Sequence, residues 1–276
     1  MKVTVLSDNL SINSLQSEWG LSFYIEYQGF RILYDVGGSD IFLSNAKALG
    51  IDISEVDFAV LSHAHYDHSS GMPAFFNANS NASFFVSPNA GENCYSGNIL
   101  KRHYIGLPKG LLHEYSSRII APEGVAEVAE GIFIVPHSAP GLDAVGRKSR
   151  MYIKRGRRYV ADDFSHEQSL VFRTDDGLVV FNSCSHSGAD IIADEISHAF
   201  PDEKIFAYFG GLHLFKLNDR EITDISGKLK SSGLKHLYTG HCTGERAFRL
   251  LKNLMDIDIR LFHCGMTVDT ETIQDL

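Results

Sequence analysis

The stretch "LSHAHYDHSSGM", Leu61 to Met72, limits what this chain can fold into more than any other. It follows the apolar run Phe58-Ala59-Val60-Leu61 and crowds His63, His65, Asp67 and His68 into six residues. A buried strand that runs straight into four such groups needs a cation or a dense hydrogen-bond network at its end, because polar side chains beside a core are costly when unpaired. In an extended segment side chains alternate, so His63, His65 and Asp67 point one way and His68 another. One short loop then serves two neighbouring cation positions. Zinc suits this donor set first, with iron and manganese as alternatives, and two such ions need about six to eight ligands. Distant parts of the chain must supply the remainder.

The frame around that loop is an ordinary globular one. The 276 residues are 44% apolar and 21% charged, enough to bury a sizeable core without staples. Lys and Arg number 25 against 34 Asp and Glu, a net charge of −9 that argues against nucleic-acid or anionic-membrane partners. The opening "MKVTVLSDNL" lacks the apolar core of a signal peptide and no apolar run is long enough for a membrane span, so a cytoplasmic location is expected. A small-molecule substrate is the expected partner, and homo-oligomers are compatible with the sequence. The four cysteines, Cys94, Cys184, Cys242 and Cys264, form no CxxC pair, and Cys184 and Cys242 sit beside histidines.

Along the chain, "KVTVLSD", "GLSFYIEYQG" and "FRILYDVG" read as antiparallel strands, the last two joined at Gln28-Gly29. A helix over "SDIFLSNAKALGI" has Asp40 as a cap and Gly50 as a stop. "EVDFAVLS" is a buried strand, "PAFFNAN" a helix and "ASFFVSP" a strand. From about 91 to 163 the pattern loosens and reads as an insertion or lid within one domain spanning 1–276. "SLVFRTDDGLVVFNSCSHSG" is a hairpin turning at Asp175-Asp176-Gly177, and strands then alternate with helices near 221–231 and 245–255. Strands followed by helices in both halves predict an α/β (α+β) four-layer sandwich, two sheets with helices outside.

Together with Asp35 in "LYDVG", "SCSHSG" at 183–188 and His241 in "TGHCTG", the opening stretch resembles the metallo-β-lactamase fold hydrolases over nearly the whole chain. That resemblance implies an αββα sandwich with one or two divalent metal ions at one edge of the sheets. It also implies that His63 and His65 ligate a first metal, Asp67, His68 and His241 a second, and that Asp35 orients a ligand histidine. Within the superfamily, "EWGLSFYIEYQG", "CSHSG", "GGLHLF" and "HCTG" resemble the branch containing the archaeal dihydropterin ribofuranosyl-aminobenzene 5'-phosphate synthase.

The middle ligands depart from the commoner pattern, which has a histidine opening the strand before the hairpin and an aspartate closing the strand after it. Here His166 in "SHEQSLVF" and Cys184 hold those places, with His186 two residues on. His186 is expected to ligate; Cys184 is either a thiolate at the metals or a small buried residue. His166 is expected to be exposed or substrate-facing. His213, after Gly210-Gly211, is read as facing the cleft or as a core histidine. The basic run "KSRMYIKRGRRYV" either grips an anionic substrate, with Arg155 and Arg157 foremost, or is a solvated hairpin.

The expected activity is metal-dependent hydrolysis of a small anionic substrate, a phosphoester, thioester or lactone, with Asp67 orienting the nucleophile and His213 assisting proton transfer. One alternative is a transferase joining a dihydropterin to a ribofuranosyl-aminobenzene 5'-phosphate; another is a non-catalytic ligand-binding or regulatory member of the fold.

Overall fold

The computed structural model describes residues 1–12, 14–98 and 100–270. Two seven-stranded sheets carry the fold. The first runs in the order Thr267–Asp269, Lys2–Ser7, Ser22–Tyr27, Phe30–Tyr34, Phe58–Val60, Ser83–Phe85 and Ile119–Ile120. The second runs Asp258–Leu261, His236–Thr239, Ile205–Phe209, Gly177–Phe181, Gln168–Thr174, Ile132–Pro136 and Ala126–Ala129. Each sheet is antiparallel on one side and parallel on the other, because each half of the chain begins with tight hairpins and continues through helical crossovers. The Gln28-Gly29 turn has φ of 48° and 86°, the doubly positive geometry of a two-residue hairpin.

Period-two alternation sorts each strand between two cores. Leu170, Phe172, Val179, Phe181, Ala207 and Phe209 face Phe23, Ile25, Ile32, Tyr34 and Val60 of the other sheet. Val171, Val180, Tyr208 and Leu237 face outward onto the helices Ala189–Ala199, Asp219–Ser231 and Glu245–Leu254. Leu33 and Ala59 do the same for Ile41–Ala48 and Met72–Ala78 on the opposite outer face. The result is the four-layer αββα sandwich. Among the described residues no helix is long and apolar enough to cross a membrane.

Two local expectations change. The region from about 91 to 163 is not one insertion, since Ile119–Ile120 joins the first sheet while Ala126–Ala129 and Ile132–Pro136 join the second. What stands apart is a small sheet in the order Arg158–Ala161, Met151–Arg155, Cys94–Gly97 and Arg102–Tyr104, built from both flanks of that return. The histidine loop, too, is not extended: the strand ends at Val60, residues 62–64 bend so that His65 N donates to the His63 carbonyl oxygen at 3.0 Å, and Tyr66–Ser69 is a single helical turn with His65 as its N-cap. Asp67 and His68 are therefore aimed by a helix, which a four-residue turn is too short to reveal as periodicity.

Candidate metal centre

The residues singled out in the sequence follow the carboxyl ends of strands in the parallel part of each sheet. Asp35 follows Phe30–Tyr34, His63 and His65 follow Phe58–Val60, Cys184 and His186 follow Gly177–Phe181, His213 follows Ile205–Phe209, and His241 follows His236–Thr239. Loops at that edge are free to turn inward, and this is where open α/β sheets place their sites. The turns are sharp: Asp35, Ser185, His213 and His241 all have positive φ, between 46° and 59°. Non-glycine residues in that region are sparse, and here they cluster at one site.

Asp35 is the hub. Its fully buried carboxylate accepts from Ser62 N at 2.7 Å, Ser62 Oγ at 2.6 Å, His68 Nδ1 at 2.8 Å and Ser183 Oγ at 2.5 Å. The bonds fix tautomers. With the Ser62 hydroxyl donating to Asp35, His63 Nδ1 donates to Ser62 Oγ at 2.8 Å and leaves Nε2 bare. His68 donates from Nδ1 to Asp35, and His241 from Nδ1 to Asn9 Oδ1 at 2.9 Å. His63 and His241 thus turn unprotonated Nε2 atoms toward one place, the usual arrangement for metal-binding histidine, and His68 aims its Nε2 there as well.

Several of those atoms have no partner. His63 Nε2, His65 Nε2, His186 Nδ1, His213 Nδ1 and His241 Nε2 are buried and unpaired; beyond this site only His236, at the opposite strand end, has imidazole nitrogens in that state among the described residues. One ligand atom from each of His63, His65 and His186 lies within 4.8 Å of the others, and His65 Nδ1 faces His186 Nε2 at 3.1 Å. Asp67 Oδ2 is 3.7 Å from His68 Nε2 and 3.5 Å from His241 Nε2. Cys184 joins both groups, with Sγ 3.3 Å from His68 Nε2 and within ligand range of His63, His186 and His241. Buried polar atoms are almost always satisfied, so a cluster of orphans with this chemistry fits divalent cations.

Electrostatics favour the same donor set. Burial, then neighbouring imidazoles, hold His63 and His186 well below the usual histidine range, and burial and His166 take His65 down to about 3. These rings are neutral and ready to ligate at ordinary pH. Burial would raise the Asp67 carboxyl, yet His68, His241 and His65 together keep it below the usual range. His68 is the exception: burial opposes its charge, but Asp67 and Asp35 outweigh it and raise the imidazole to about 9, so a cation there must displace the Nε2 proton.

His166 lies elsewhere in the scheme. It is buried rather than exposed; its Nδ1 accepts from Ala64 N at 3.2 Å, its Nε2 donates to Asp162 at 3.3 Å, and with His65, Cys94 and Asp162 it forms a neighbouring cluster whose ligand atoms lie within 4.8 Å of one another. Arg155 and Arg157 do not reach the cleft; Arg155 pairs with Asp163 at 3.1 Å on the exposed hairpin. The run alternates along the Met151–Arg155 and Arg158–Ala161 strands, and only its first part, Ser149 to Met151, faces inward. A cleft of about 470 Å³ opens over the centre, and its cations are Lys101, Arg150 and Lys216, with His103 beside them. Gly210 and Gly211 make close approaches, but to protein: a Cβ on Gly210 would lie 1.8 Å from the Asn182 carbonyl oxygen.

Other functional residues have no local signature. Asn9 grips His241 from 232 positions away. Glu167, fully buried, accepts from His186 N and Ser187 N, both at 2.8 Å, and so holds the loop that carries His186; its only trace in the sequence is an acid at a strand entrance. Glu167→Gln leaves one acceptor oxygen for two N–H groups. Metal affinity is expected to fall about ten- to a hundredfold with the fold intact, measured by competition with a chromophoric chelator. Unchanged affinity would show that Glu167 does not orient His186.

This fold and this edge-of-sheet cluster define a class: the chain belongs to the metallo-β-lactamase superfamily. The family described as the metallo-beta-lactamase superfamily matches residues 20–149. Tm1679, a solved metal-dependent hydrolase of the beta-lactamase superfamily, is 31% identical, with 98% of this chain and 99% of that one covered at a TM-score of 0.84. The 7,8-dihydropterin-6-methyl-4-(β-D-ribofuranosyl)-aminobenzene-5'-phosphate synthase of Methanocaldococcus jannaschii is 26% identical, covering 96% of this chain and 95% of its own. YhfI from Bacillus subtilis shares the fold at 13% identity and a TM-score of 0.57, covering 97% of this chain and 99% of its own. Membership in this superfamily implies divalent metal binding.

Proposed function

We propose that the chain is a metal-dependent hydrolase of a small anionic substrate. The observation that carries the reading is the convergence of unpaired imidazole nitrogens with Asp67 and Cys184 beneath a cleft whose rim bears unpaired cations. His63, His65 and His186 would hold one divalent cation and Asp67, His68 and His241 a second, with Cys184 between them. Zinc suits these donors first. Cations there supply Lewis acidity, which polarises the bond under attack and makes water a competent nucleophile near neutral pH.

The protein's own groups do the rest. Asp67, held ionised, orients the nucleophile. His213 lies half-buried on the cleft wall, 4.4 Å ring to ring from His186, and is placed to deliver a proton to the leaving group. Trp19, Tyr66 and Phe215 add aromatic surface to the cleft, and the Trp19 ring lies 4.8 Å from that of His241. Such walls suit a substrate with a planar ring.

Among the described residues Lys101, Arg150 and Lys216 have no carboxylate partner, whereas Lys148 is paired with Glu221. Unpaired cations at the rim of an acidic protein favour an anionic group on the substrate. Lys101→Ala and Arg150→Ala should each raise KM for a phosphorylated substrate about ten- to a hundredfold while kcat changes little. An equal rise for an uncharged ester would contradict this.

The activity test is turnover by the metal-loaded protein on phosphoesters, thioesters and lactones. Hydrolysis that stops on chelation is expected; full metal occupancy with no turnover would overturn the reading. The likeness to the archaeal synthase over 96% of the chain supports a second one, transfer of a dihydropterin to a ribofuranosyl-aminobenzene 5'-phosphate. Incubation with a dihydropterin diphosphate and that amine separates the two, since condensed product without hydrolysis would favour transfer.

A further inference from the structure

Two sulfurs meet at the floor of the cleft. Cys184 and Cys242 come from loops after different strands, and their Sγ atoms lie 3.4 Å apart. Both are 2% exposed and both line the cleft, within reach of a small oxidant. Cys242 Sγ also lies 3.6 Å from the Cys184 carbonyl oxygen. Gly211 makes the approach feasible, because a Cβ there would sit 2.5 Å from Cys242 Sγ. The remaining thiols face other partners: Cys94 offers its sulfur within 4.8 Å of ligand atoms of His65, Asp162 and His166, and Cys264 packs against Asp8.

We propose that Cys184 and Cys242 form an oxidation site, closed by a peroxide into a reversible disulfide that withdraws the Cys184 sulfur from the metal centre. The second half rests on the metal reading above; the covalent half needs only the thiols. Cys184 Sγ lies 3.3 Å from His68 Nε2 and 3.4 Å from Cys242 Sγ. Closing the sulfur pair to about 2.05 Å consumes the Cys184 thiolate, the form in which a cysteine ligates a cation. In the reaction one sulfur attacks the O–O bond, becomes a sulfenic acid and releases a water. The other sulfur displaces the hydroxyl as a second water and forms the S–S bond. Two electrons pass from the sulfurs to the peroxide, and both thiol protons leave in water.

The test uses the full chain, reduced and metal-depleted, treated with stoichiometric hydrogen peroxide. Expected are a mass loss of about 2 Da, a Cys184 to Cys242 cross-linked peptide, and Cys94 and Cys264 still alkylated once the treated chain is unfolded in denaturant. Zinc uptake should then fall by about one ion per chain and return after dithiothreitol. Cys242→Ser should form no cross-link and keep its zinc uptake after the same treatment. Four alkylatable thiols after peroxide, a cross-link to another cysteine, a mass gain in place of the loss, or a Cys184 to Cys242 bond that leaves zinc uptake unchanged would each overturn the proposal. Reduced protein that takes up no zinc would defeat the metal centre itself, an outcome kept separate because the cross-link is scored by mass.

Discussion

Replacing both His63 and His65 with alanine removes one bound divalent cation per chain and lowers turnover by about a thousandfold or more. The magnitude follows from the chemistry the ion supplies, several kcal/mol of transition-state stabilisation, each tenfold in rate being about 1.4 kcal/mol. The fold should survive. His63 Nε2 and His65 Nε2 have no protein partner to lose, and their rings lie 4.6 Å apart in a crowd of imidazoles that only a cation makes favourable. Ser62 keeps its bonds to Asp35 when His63 is gone. Elemental analysis alongside thermal melting decides the matter: unchanged metal stoichiometry would refute the assignment.

Asp35→Ala should act in the opposite way, on the fold first. It leaves Ser62 N, Ser62 Oγ, His68 Nδ1 and Ser183 Oγ without their common acceptor in a fully buried place. Breaking a buried charged network of this kind costs about 3–5 kcal/mol, roughly 6–20 °C in Tm for a domain of this size. Asp35 also sits at φ 59°, a conformation that asparagine tolerates better than alanine. Asp35→Asn should therefore fold better than Asp35→Ala but bind the cation beside His68 poorly, since an amide N–H would face a donor. A Tm shift of only a degree or two for Asp35→Ala would show that the hub is not holding the loops together.

The division between what was legible in the sequence and what was not has a physical basis. The spacing of His63, His65, Asp67 and His68 behind an apolar run marks a site because chemistry and local geometry coincide in one short segment. The alternation of Leu170 through Phe172 and Val179 through Phe181 is legible for the same reason, since period two is a local property. Residues whose work depends on contacts across the chain left no such trace. Asn9 reaches His241 and Glu167 reaches His186 and Ser187 only once two sheets are packed. The cations of the cleft belong in part to the basic run, but strand pairing decides which of them face inward. Arg150 leads into Met151–Arg155 beside Gly97, its carbonyl oxygen accepting from Gly97 N at 3.0 Å, whereas Arg155 sits at the outer hairpin end opposite Arg158.

Anomalous diffraction from crystals of the metal-loaded protein tests the central claim most directly. The account predicts one peak among His63, His65 and His186 and a second among Asp67, His68 and His241, with Cys184 between them. Density elsewhere, or none at this edge of the sheets after saturation with zinc, would contradict it.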